Sequence, residues 1–378
     1  MKKKLLALVC ALVMIFSLAS CGLSTPDTVG KVGDFEVSSG LYLLAQFSAY
    51  QQAAQLAGKD QDTTDVKAFL KATITTDADS GETAVVQDYV ADKTLETLRT
   101  FAAIDARFAE LGGELTAEQT QVADNYAQQL MDQYGSTYTA NGIGLETLKA
   151  FERIQLKHTL LLTLVYGPDG ESPVDDSDLT EHLDSQMYEL AYVNIPLYNT
   201  STFVFASDDQ KAQMLQLAQA AAASCSETQD GSVSEQVSAL HSAASAALPD
   251  IYAVLDSTPA EDASSVQTEL LTELLTESDL TGAFTQDGAA DAVRGLVYGE
   301  AAAVQYNAAS IILMMRIDPL QVSTLDALRT QILSDMKGDE LEDALTAYGS
   351  TLENDLSTSA MNKMPASKIV NPSSSSNS

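Results

Sequence analysis

The sequence predicts a mainly α fold carrying a small α+β insert. Three observations predict it. Long stretches repeat apolar residues at helical spacing, over 82–111, 145–166 and 320–356. Strand-like alternation appears only in short runs, at 29–37 and 191–197, with one apolar closing run near 311–317. Residues are 45% hydrophobic and 19% charged, a globular composition long enough for two ordinary domains.

The first element is a leader. Lys2, Lys3 and Lys4 precede the uncharged run Leu5–Leu18, which is too short to span a bilayer comfortably. Leu18-Ala19-Ser20-Cys21 follows. That run resembles the lipobox of bacterial lipoproteins. The resemblance implies removal of residues 1–20 and a diacylglycerol on Cys21, the lipid-attachment residue. Two or three acyl chains anchor stably where one does not. The expected location is the cell membrane, lipid-anchored on its extracytoplasmic face, with 21–28 as spacer.

Val29–Val37 turns at Gly33-Asp34 and reads as a hairpin. Ser38 or Ser39 caps a helix over about 40–57, with Tyr42, Phe47 and Tyr50 interleaved and Gly58 ending it. Glu82–Leu111 reads as one helix stopped by Gly112-Gly113. Thr116 and Gln119 form a capping box for the next, expected to end at Tyr134-Gly135. Leu145–Tyr166 is a third helix. The region 208–280 reads as three or more helices, broken near Asp230-Gly231, Pro249 and Thr258-Pro259. Leu320–Leu356 is an amphipathic helix weakened by Gly338 and Gly349. Ala360–Val370 is expected to add a strand beside the first hairpin, and the serine-rich end from Pro372 reads as disordered.

Net charge is -33, and loss of the three leader lysines would make it -36. Such a chain lacks the basic footprint of a nucleic-acid binder and is repelled by anionic lipid. Cys10 leaves with the leader, so Cys225 has no internal partner and the fold must rest on its core. No phosphate loop, His-x-x-x-His, Cys-x-x-Cys or nucleophile elbow is present, so no cofactor and no metal is expected. The acids of Asp175-Asp176-Ser177-Asp178 suit a helix N-terminus, and an EF-hand's glycine and final glutamate are missing.

Val29–Ser38 matches the form V-x-K-V-(N/G)-G/D-x-x-(I/V)-(S/T). With the aromatic helix after it, this resembles the opening of the SurA/PrsA/trigger-factor-related extracytoplasmic foldases. Val174-Asp175-Asp176 through Leu183 resembles that family's linker helix. Gly299-Glu300, Val304 and the apolar run to Ile317 resemble the end of a parvulin prolyl isomerase domain, and Ala191–Leu197 its first strand.

The resemblance implies a SurA/PrsA-like helical domain over 29–187, completed by a C-terminal helix over 319–370. A diverged parvulin-like domain with a helical insertion is inserted over 188–318, and 371–378 forms the tail. The family's two histidines fall on Asn194 and Ser310, so its polar core is replaced. His158, His182 and His241 lie elsewhere.

The function this implies is a membrane-anchored chaperone or foldase for unfolded or nascent exported polypeptides. They would bind in a cleft between helical body and insert, through Tyr42, Phe47, Tyr50, Tyr192 and Tyr306. Efficient catalysis is not expected. One alternative is an active peptidyl-prolyl cis-trans isomerase, since that reaction needs an apolar pocket and polar groups favouring a twisted imide. A second alternative is a non-chaperone envelope scaffold. Client, oligomeric state and the role of 208–280 are not legible.

Overall fold

The structure is a computed structural model describing residues 26–58, 61–78, 80–256 and 270–371. The leader, Cys21, the Thr258-Pro259 break and the tail from Pro372 lie outside the described residues. The chain divides into two compact units, 1–164 with 339–378, and 165–338. These cuts fall away from the expected 188 and 318. Helices are joined by small antiparallel sheets, so the fold is mainly α with a minor β component.

In the discontinuous unit, β1 (Thr28–Val32) and β2 (Phe35–Ser38) form the expected hairpin, with Gly33 at φ 56° in its turn. The Ser38 hydroxyl accepts the Leu41 N–H and starts α1 (Ser39–Ala57). A short helix, α2 (Val66–Phe69), leads into a second hairpin, β3 (Thr73–Asp77) with β4 (Glu82–Val85). Then follows α3 (Val86–Glu110).

By its spacing, Glu82–Val85 should open that helix. Instead Gly81, at φ 72°, turns the chain so that these residues pair with Thr73–Asp77. The capping box at Thr116 and Gln119 starts α4 (Ala117–Ala140), which runs on through Gly135 instead of ending there. One interior glycine costs only about 1 kcal/mol, too little to stop a helix that buries Ala123 and Ala127. Next is α5 (Leu145–Tyr166), within which the chain leaves this unit.

The chain returns within α12 (Leu325–Thr351) and then forms β9 (Asn354–Leu356). Strand β9 pairs antiparallel with β1, giving the order β2-β1-β9. The strand that joins the first hairpin is therefore 354–356. Ala360–Val370, expected to supply it, instead begins in the last turn of α13 (Thr358–Met361) and ends past a 3-10 turn at Ala366–Lys368. The single helix expected over 320–356 is α11 (Pro319–Val322) and α12, parted at Ser323-Thr324. Tyr50, Phe69, Ile74 and Val90 anchor one core cluster here, and Phe47, Ile143 and Leu148 another.

The continuous unit opens with α6 (Asp176–Gln186) and β5 (Met187–Pro196). Next come α7 (Asp208–Ala223) and α8 (Val233–Ala253). Pro249 lies inside α8 without ending it. Burial of Leu248, Ile251 and Tyr252 around it offsets the missing hydrogen bond. The region expected to be wholly helical also holds β6 (Leu271–Thr276), before α9 (Glu277–Ala283) and α10 (Ala289–Arg294).

The hairpin β7 (Ala301–Asn307) and β8 (Ser310–Arg316) completes a four-stranded antiparallel sheet, ordered β6-β5-β8-β7. Alternation splits its side chains between two cores. Val193, Ile195, Ile311 and Leu313 face α7 and α8. Leu190, Ile312 and Met314 face α9 and α10. Cys225 is packed in the first of these cores, and burial pushes its thiol pKa up.

Candidate functional site

Asn194 lies between Val193 and Ile195, so its side chain takes the opposite face of the sheet, with Ile312 as register partner. Ser310 pairs with Pro196 and shares that face by the same alternation. The two positions are diagonal neighbours on adjacent strands, roughly 7 Å apart. They are far apart in sequence, and the β5–β8 register brings them together.

Their surroundings are apolar. The Phe284 and Tyr306 rings meet at 5.4 Å, and Tyr192, Val304 and Tyr306 line the half-buried margin of this core. The Tyr192 hydroxyl donates to Glu273 Oε2 at 3.1 Å. Burial and that carboxylate push the Tyr192 pKa up to about 12. Asn194 Oδ1 is hidden from solvent and has no hydrogen-bond partner among the described residues. Such an acceptor costs about 1–3 kcal/mol until a donor meets it. The patch therefore presents apolar rings and no open acceptor. It offers no nucleophile–base pair and no histidine.

The other expected binding residues are divided by burial. Phe47 and Tyr50 are core residues. Tyr50 is fully buried, packs edge-on against Phe69 at 5.5 Å and donates to the Thr63 carbonyl at 2.7 Å. Neither ring presents a surface, which corrects their expected role. Tyr42 is buried too, but it lines a cavity of about 590 Å³ with Gln46, Leu95, Leu98, Met361 and Pro365. The Gln46 amide donates to its hydroxyl at 3.1 Å, and burial raises the Tyr42 pKa. Tyr42 thus lies in one unit, and Tyr192, Tyr306, Asn194 and Ser310 in the other.

One surface escapes sequence reasoning. Two residues past Pro196 the chain makes a tight protruding turn. Its tip, Phe203-Val204-Phe205, is 73%, 64% and 58% exposed. Tyr198 bridges to Phe205, and its ring stacks on Phe203 at 6.2 Å and tilts against Phe205 at 5.4 Å. Asn199 Oδ1 accepts the Ser201 and Thr202 N–H groups, both at 3.0 Å. The backbone closes with Asn199 N–H to Val204 O at 2.9 Å and Phe203 N–H to Asn199 O at 2.7 Å.

Phe203 sits at φ 56°, in the left-handed region that a residue with a β-carbon enters only at a cost. The turn begins beside the Asn194/Ser310 patch, since Leu197 N–H bonds Ala309 O at 2.7 Å. Its one sequence signal is the run Phe-Val-Phe inside a loop of Asn, Thr and Ser.

A third feature fixes this unit. Arg316 is buried between the rings of Tyr188 and Tyr298, at 5.0 and 5.1 Å from their centroids. Its guanidinium donates to the carbonyls of Leu296 at 3.0 Å and Asp184 at 2.7 Å, tying α6 to the sheet. Among the described residues no group of His, Cys, Asp and Glu is arranged to hold a metal ion. No described helix is long and apolar enough to cross a membrane.

No family model matches this chain, and no curated protein does. Among solved structures, the foldase protein PrsA from Streptococcus pneumoniae is similar over 76% of this chain and 97% of its own. The identity is 12% and the TM-score 0.34. A score that low assigns no function to this chain, and its own geometry must supply one.

Proposed function

We propose that the protein is an extracytoplasmic chaperone or foldase of SurA/PrsA type, held to the membrane through Cys21, that binds unfolded segments of exported polypeptides. The observation that carries this is the Phe203-Val204-Phe205 tip. Three successive apolar side chains are held in water by an ordered turn, at the expense of a left-handed phenylalanine. Apolar display of this kind marks a binding surface. Burying it against a client contributes roughly 25 cal/mol per Å² of apolar area. A strongly acidic exterior keeps such complexes soluble.

Catalysis by a degenerate parvulin-like domain is the second reading. Asn194 and Ser310 occupy one face together, as a single prolyl site would require.

The test pairs two assays on the same preparations: aggregation of a reduced, unfolded model protein, and cis-trans isomerisation of a proline tetrapeptide. The wild-type chain should suppress aggregation. A triple variant with F203G, V204S and F205S should lose most of that suppression. F203G alone should be more stable than wild type by about 1 kcal/mol, because glycine accepts φ 56° freely. Isomerisation well above the uncatalysed rate, lost in N194A, would establish the catalytic reading. Inactivity of the wild type in both assays would favour an envelope scaffold and defeat the proposal.

A further inference from the structure

The outer edge of the four-stranded sheet carries an inference that rests on the client-binding reading and specifies how a client is held. Among the described residues, strand β7 pairs only with β8. Arg316 N–H donates to Glu300 O at 3.1 Å, and on the other side of β8 Ile317 N–H donates to Glu189 O at 2.9 Å. These two bonds fix the parity of the antiparallel ladder. Ala302 and Val304 turn their N–H and C=O toward β8. Ala301, Ala303 and Gln305 turn theirs outward, and among the described residues no partner meets them. The edge closes only at its far end, where Gln286 N–H donates to Tyr306 O at 3.2 Å.

An open edge is normally blunted by charge, proline or a cover. The strand Ala-Ala-Ala-Val-Gln-Tyr-Asn contains neither charge nor proline. It lies instead along a trough of about 440 Å³. Leu215 and Gln219 of α7 form one wall, and the loop Thr285–Gly288 the other. Ala303, Val304 and Gln305 line it between them.

We infer that this trough receives one extended segment of a client polypeptide, which adds to the sheet as a fifth strand beside β7. Main-chain recognition suits a protein with many clients, because each polypeptide carries the same N–H and C=O pattern. The outward groups at Ala301, Ala303 and Gln305 accommodate about five residues, roughly 17 Å of strand. The walls admit a single strand but obstruct a second copy of this chain, whose own α7 and 285–288 loop would have to enter the same trough. Asp287 in the wall and the acidic body favour neutral or basic segments over acidic ones.

The test uses the full chain and a fluorescein-labelled seven-residue peptide of alternating valine and threonine with lysine at both ends. Two further versions carry N-methyl groups on alternate residues, one on each parity. Strand addition predicts that one methylated peptide binds about tenfold more weakly or worse, while the other stays within about twofold of the parent. Capture by apolar contact alone affects both equally. The variant A303P removes an outward N–H without touching the β8 ladder, and because Ala303 is buried against α7 its folding is checked by circular dichroism. It should lose about tenfold in peptide affinity, and amide exchange at Ala303 and Gln305 in the wild type should slow when peptide is added.

Equal binding of the two methylated peptides overturns the inference, whether or not A303P folds. So does concentration-dependent self-association abolished by A303P, which would make the edge a contact between copies. Aggregation suppression separates the two proposals. If suppression persists in A303P and fails in the Phe203–Phe205 variant, the chaperone reading stands and the edge assignment falls. If parity-dependent binding is seen without any suppression by the wild type, the edge is a strand receptor and the chaperone reading falls.

Discussion

Two glycines in α12 should respond oppositely to the same substitution. In a helix interior, alanine is favoured over glycine by about 1 kcal/mol when nothing else changes. At Gly338 nothing else changes. A β-carbon there would have Ser334 Oγ as its nearest neighbour, at 4.0 Å. G338A should therefore stabilise by up to about 1 kcal/mol.

At Gly349 a β-carbon would lie 2.8 Å from the Arg99 carbonyl oxygen and 3.1 Å from its carbon. Arg99 is in the interior of α3, so that carbonyl cannot swing aside without breaking its helical bond. The helices must part instead, and overpacking of this kind costs about 1–3 kcal/mol. Against the propensity gain of about 1 kcal/mol, G349A should destabilise by up to about 2 kcal/mol, the 2.8 Å approach to fixed backbone placing it toward the upper end. For a unit of this size that is a fall of up to about 8 °C in Tm. The assay is thermal and urea unfolding followed by far-ultraviolet circular dichroism on wild type and both variants. If G349A proves as stable as wild type, α12 does not seat against α3 as described, and the completion of the first unit by the returning chain is wrong.

Two further predictions concern the continuous unit. Replacing Arg316 with methionine should destabilise it by about 2–4 kcal/mol, because the carbonyls of Leu296 and Asp184 lose their donor and two rings lose their cation. Lysine should not rescue it, since one ammonium cannot span both carbonyls, and an unchanged urea midpoint would contradict this. Glu189 is 8% exposed, and burial first, then the Glu273 charge, raises its carboxyl above 4.5. The folded state then holds a proton that the unfolded chain has released, so stability falls as pH rises from about 4.5 through the raised value. E189Q should match wild type at about pH 4 and exceed it at about pH 7. Parallel curves at the two pH values would refute that.

Helix length and apolar spacing make α1, α3, α5 and α12 readable, α3 through a continuous buried stripe and α1 through burial on most of its sides. What misleads is local. Val85, Val86 and Tyr89 continue a helical stripe upstream, and only the pairing with Thr73–Asp77 makes Glu82–Val85 a strand. Strand β6 gives almost no signal, since Leu271, Thr272 and Glu273 are exposed and its identity comes from β5. Gly135 and Pro249 have the look of breaks. Intrinsic propensity counts against a helix there, but burial along the same helix outweighs it.

The candidate site divides in the same way. Asn194 and Ser310 are legible from a motif, and their meeting on one face needs only correct register. The exposed tip and the bare edge are not legible, because neither is a matter of residue type. Phenylalanine in a loop is ordinary, but a left-handed one stacked on Tyr198 and left in water is not. Alanine in a strand is ordinary too, but a buried Ala303 whose outward N–H and C=O meet no partner among the described residues is not. A strained backbone at Phe203, an orphan acceptor at Asn194 and an unpaired edge at β7 are each unfavourable to the folded chain alone. All three occur in the continuous unit, and under the two proposals a bound polypeptide would cover the Phe203–Phe205 side chains and complete the edge, while the left-handed φ of Phe203 and the hidden Asn194 acceptor remain as they are.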